Sequence, residues 1–88
     1  MGAETPAFAL PPFKFNARGV LFASRGRPVC VAIIVNETGT ALDATVYLPK
    51  LLGLSRVERS QILTNKFEPA KQAGIPVNSI VVMKAWRQ

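Results

Sequence analysis

Three stretches of this chain have the apolar patterning of a strand, alternating with polar residues in two of them and apolar on both faces in the other. The first runs from Phe13 to Ser24. Phe13, Phe15 and Ala17 face one way and Lys14, Asn16 and Arg18 the other, until Gly19 interrupts and residues 20–23 turn apolar on both faces. A glycine at that point suggests a bulge or bend in a strongly curved sheet. The second stretch, Val29 to Val35, is apolar on both faces, which predicts a central strand covered on both sides. In the third, Leu42, Ala44, Val46 and Leu48 alternate with Asp43, Thr45 and Tyr47, a strand with one wet face. Segments 24–28, with Gly26, and 36–40, with Gly39, read as the turns between them. Connections this short favour an antiparallel meander.

Pro49 ends the alternation, and a helical signal follows. Ser55-Arg56-Val57-Glu58 has the form of a capping box, so a helix is expected from Arg56 to about Phe67, with Pro69 and Gly74 beyond it. Its inner face would carry Ile62, Leu63 and Phe67. A last strand is expected from Pro76 to Ala85, again apolar on both faces. Residues 1–12 hold three prolines and no periodicity, and read as a flexible or docked tail ahead of a single β-rich domain, 13–88.

The expected fold is therefore mainly β with some helix (β+α). It is a small antiparallel, strongly bent sheet or an OB-like barrel of about four to five strands, with one helix before the last strand. The order of elements, three strands, a helix and a strand, is similar to that of an OB-fold barrel.

Composition supports a folded chain and adds a charge. Of 88 residues, 49% are hydrophobic and 18% charged, which excludes disorder for most of the length and fits one domain. So much apolar sheet in so short a chain points to self-association, with a homodimer as the simplest form. The net charge is +6. It is uneven: residues 1–44 hold four basic and three acidic side chains, residues 45–88 seven and two. Such an excess draws polyanions, so nucleic acid is the first partner to expect. Cys30 is the single cysteine and lies in an apolar run, so no disulfide can form within the chain and a reducing compartment, the cytoplasm, is expected. Glu4 and the early prolines do not fit a signal peptide, and no apolar run reaches the roughly 18 residues of a membrane span.

The chemistry points to binding rather than catalysis. Histidine is absent, which removes the commonest general base and metal ligand. The carboxylates are scattered, no phosphate-cradling glycine loop appears, and Cys30 between valines reads as buried and inert. No catalytic residue, metal site or cofactor is expected.

A single-strand binder follows phosphates with basic side chains and stacks bases on aromatic rings. The candidates are Lys14 and Arg18 on one strand face, Arg25 and Arg27 in a glycine-containing hairpin, Tyr47 on a wet face, and Lys84, Trp86 and Arg87 at the end of the chain. Single-stranded DNA or RNA is favoured over duplex. Segment 51–56 also resembles the turn of a helix-turn-helix, which would offer Arg56, Arg59 and Gln61, but Pro49 and the flanking strands oppose it. The alternative to nucleic acid is an accessory or inhibitory module that binds an acidic protein surface, using the apolar tail from Phe8 to Phe13.

Overall fold

The computed structural model describes residues 5–50 and 52–85. Strands dominate them, all paired antiparallel, with two short helices. The elements in chain order are β1 (Phe8–Ala9), α1 (Arg18–Ala23), β2 (Val29–Val35), β3 (Ala41–Leu48), α2 (Arg56–Leu63), β4 (Phe67–Glu68), β5 (Ala70–Gln72), β6 (Ile75–Val77) and β7 (Ser79–Ala85).

The main sheet has the order β3-β2-β7. β2 is central, as expected from a strand apolar on both faces. Only one of its faces is covered, however. Val29, Val31, Ile33 and Val35 are fully buried, whereas Cys30 and Ala32 are half-buried and Ile34 is exposed. On the inner face the four β2 side chains meet Val20, Ala41, Ala44, Ile62 and Phe67 to form the core. The remaining strands make two small sheets, β1 with β4 and β5 with β6. None of the sheets closes into a barrel. The mainly β, antiparallel character expected from the sequence is present without the OB-like closure.

The first expected strand is not one. Residues 13–17 belong to no strand, and Arg18–Ala23 is a helix. The alternation is still visible, with Phe13, Phe15 and Ala17 half-buried and Lys14, Asn16 and Arg18 exposed. Side-chain amides take the place of a neighbouring strand. Lys14 N donates to Asn65 Oδ1 at 2.8 Å, Asn65 Nδ2 donates back to the Lys14 carbonyl at 2.9 Å, and Asn16 N donates to Gln61 Oε1 at 3.1 Å. Lys14 and Arg18 therefore do not share a strand face.

The capping box forms as expected. Glu58 N donates to Ser55 Oγ at 3.1 Å and Ser55 N donates to Glu58 Oε1 at 2.9 Å. The other oxygen of Glu58 accepts from Val20 N at 3.0 Å, so one carboxylate caps both helices. Helix α2 stops at Leu63, short of Phe67, because Thr64 and Asn65 turn back on its last carbonyls: Thr64 Oγ1 and Asn65 Nδ2 both donate to Gln61 O. Phe67 still reaches the core, but from β4, with its ring edge-on to Phe13 at a centroid distance of 6.2 Å.

Near the N-terminus, Phe8 and Ala9 pair with Glu68 and Phe67, and Thr5 exchanges backbone hydrogen bonds with Lys71. The expected last strand divides at Asn78: β6 turns back on β5, and only β7 joins the main sheet.

Candidate nucleic-acid interface

Arg25 and Arg27 lie in a turn, though not a hairpin. Segment 24–28 leads from the end of α1 into β2. Arg25 N donates to Phe22 O and Gly26 N to Leu21 O, which closes the helix with a left-handed residue at position 25. Arg25 has φ 57° and Gly26 φ 80°. Ser24 is buried below, its Oγ 2.8 Å from both the Leu21 and Arg27 carbonyl oxygens, and this ties the turn to the start of β2.

The antiparallel register brings other chain segments to the same place. Cys30, near the start of β2, is opposite Leu48 on one side and Lys84 on the other. Lys50 follows Leu48 by two residues, and Arg27 precedes Val29 by two. Arg27, Lys50 and Lys84 thus collect at one end of the main sheet, together with the turn that carries Arg25. Arg25, Arg27 and Lys50 line one pocket of about 330 Å³, floored by Ser24 and Pro49. All three, like Lys84, are exposed, and among the described residues none of the four is in an ion pair. No carboxylate lines the pocket. The opposite end of the sheet is mixed in charge: Glu37 lies in its turn, and Asp43 pairs with Arg59 at 3.7 Å.

An aromatic ring stands beside this pocket. Phe22 is 87% exposed, and with Ala23, Arg25 and Gly26 it lines an adjoining pocket. Ala23 and Arg25 belong to both, so ring and basic cluster are contiguous. A strand over residues 20–23 would not single out Phe22. The helical phase that buries Val20 turns Phe22 out. Lys50 was equally hidden, since only the pairing of β2 with β3 carries it to Arg27.

The other expected residues divide. Tyr47 is exposed near the basic end of β3, and Lys84 is exposed on the outer face of β7. Lys14 and Lys66 line a separate pocket, and Arg18 is at the far end of α1 from Arg25. Trp86 and Arg87 lie outside the described residues. Arg56 and Arg59 start a helix that packs on β3, and Gln61 is engaged by Asn16. Arg18 instead borders a larger cleft of about 660 Å³, with Glu58 on its wall. Both oxygens of that carboxylate accept backbone hydrogen bonds, which gives it a capping role. Among the described residues no three His, Cys, Asp or Glu side chains converge as metal ligands, and no helix is long and apolar enough to cross a membrane.

Comparison with protein families, with curated proteins and with solved structures finds no match to this chain.

Proposed function

We propose that this chain is a small nucleic-acid-binding protein that takes single strands in preference to duplex. The observation that carries the reading is the contiguity of Arg25, Arg27 and Lys50 with the exposed ring of Phe22. The three unpaired cations suit a phosphate backbone, and a solvent-facing ring suits an unstacked base. Lys84 and Tyr47 lie at the same end of the sheet and extend the track for the strand. Duplex bases already stack on one another and offer Phe22 nothing. The free Cys30 thiol suits a reducing compartment such as the cytoplasm. The accessory-module alternative drew on the apolar tail, and Phe8–Ala9 of that tail are paired with the chain's own β4.

The test is a titration with single-stranded DNA, RNA and duplex DNA of equal length at several salt concentrations. Single strands bind tightest, and affinity falls linearly on a log–log plot against salt. Equal affinity for duplex would remove the stacking part of the reading. No binding to any of them at low salt would overturn it and leave an acidic protein surface as the target of the charge.

A further inference from the structure

We propose that the free edge of β7 pairs with β7 of a second copy, across a two-fold axis at Val82, to make a continuous six-stranded sheet. The two edges of the main sheet differ. β3 is guarded: its register with β2 shifts twice, α2 packs against it, and the Asp43–Arg59 pair lies along it. Such irregularities and charges discourage further pairing. Among the described residues β7 has no register shift and no ion pair. Its register with β2 is unbroken over all seven residues, it holds one charge, and it contains no proline. Among the described residues no strand lies beyond it, and no backbone hydrogen bond outside the sheet ladders involves residues 79–85.

β7 is also the one strand of the main sheet with no fully buried residue. Helix α2 packs over β3, and Val81 and Met83 on the inner face are only half-buried. On the outer face Ile80 is 65% and Val82 58% exposed.

A second copy fits this edge because the sequence of β7 is complementary to itself. In an antiparallel pair centred on Val82, Val82 meets Val82, Val81 meets Met83, and Ile80 meets Lys84. The two Lys84 residues are then offset by four positions, about 13 Å along the strand, beyond a Debye length at physiological salt. With the β3 edge guarded and the β7 edge used once, the assembly closes at two copies instead of growing into a fibre. The two basic ends come to lie at opposite ends of the joined sheet.

Sedimentation equilibrium of the full chain at tens of micromolar tests this, alongside Val82→Lys and Val82→Glu. The wild type should sediment at twice the chain mass. Each variant should sediment at the single-chain mass with its far-ultraviolet circular dichroism unchanged, since Val82 is exposed. An equal mixture of the two should return to twice that mass, because lysine then faces glutamate across the axis. Amide exchange on the wild type gives a reading without variants: alternate amides of residues 79–85 slow as concentration rises, and those of β3 do not. A monomeric wild type, a dimer that survives in both variants, a mixture that fails to re-associate, or exchange in β7 independent of concentration would each overturn the proposal.

Discussion

Arg25 holds a backbone conformation that glycine adopts without penalty and other residues reach at about 1–2 kcal/mol. The position keeps a charged side chain against that cost, beside Phe22 and over the basic pocket. Replacement separates the two roles. Arg25→Gly should leave stability within about 1 kcal/mol of the wild type, since relief of strain offsets the added freedom of the unfolded chain, while single-strand affinity falls. Denaturant unfolding and a binding titration on the same sample read both. Phe22→Ala should behave similarly: stability within about 0.5 kcal/mol, because the ring packs on little, and roughly 1–3 kcal/mol of binding lost. A large stability loss in Phe22→Ala would mean that the ring is structural. Glu58 behaves in the opposite way. Its oxygens accept from Ser55 N and Val20 N, so Glu58→Ala should destabilise by about 1.5–3 kcal/mol per lost charged bond without touching the basic pocket. The fall in denaturant midpoint measures it.

At the scale of elements, the sequence was most legible where local signals and tertiary partners agreed. An apolar run marked β2, alternation marked β3, and the capping box marked the start of α2, because the groups that stabilise each are close in sequence. Segment 13–24, expected as a strand, differs because what stabilises it is distant. The part ahead of α1 is held by Asn65 and Gln61, and the third amide of α1 finds its acceptor in Glu58, 38 residues away. No local pattern carries that information. Phe22 and Lys50 went unseen for the same reason, since the phase of α1 and the pairing of β2 with β3 decide where they point. The turn between β2 and β3 was legible, and the structure shows why its glycine is needed. Gly39 has φ 83°, and a Cβ there would collide with the Phe67 carbonyl oxygen. Phe67 N also donates to Gly39 O at 3.2 Å, so this turn locks β4 to the main sheet. Gly39→Ala should therefore cost about 2 kcal/mol or more, seen as a lowered thermal midpoint. An unchanged midpoint would mean that β4 does not dock there.

Across the whole molecule, the placement of the charge bears on the proposed binding surface more than the net charge of +6 does. One end of the main sheet gathers arginines and lysines that are unpaired among the described residues around an exposed ring, while the other mixes acidic and basic groups. The salt dependence of single-strand binding tests this most directly, measured for the wild type and for the triple variant Arg25→Gly, Arg27→Ala, Lys50→Ala. Each phosphate contact on a single strand contributes a slope of about −0.7 in the logarithm of affinity against that of salt, so loss of three contacts should make the slope shallower by about 2. A triple variant that is folded and binds with the wild-type slope would place the contacts elsewhere and contradict the account.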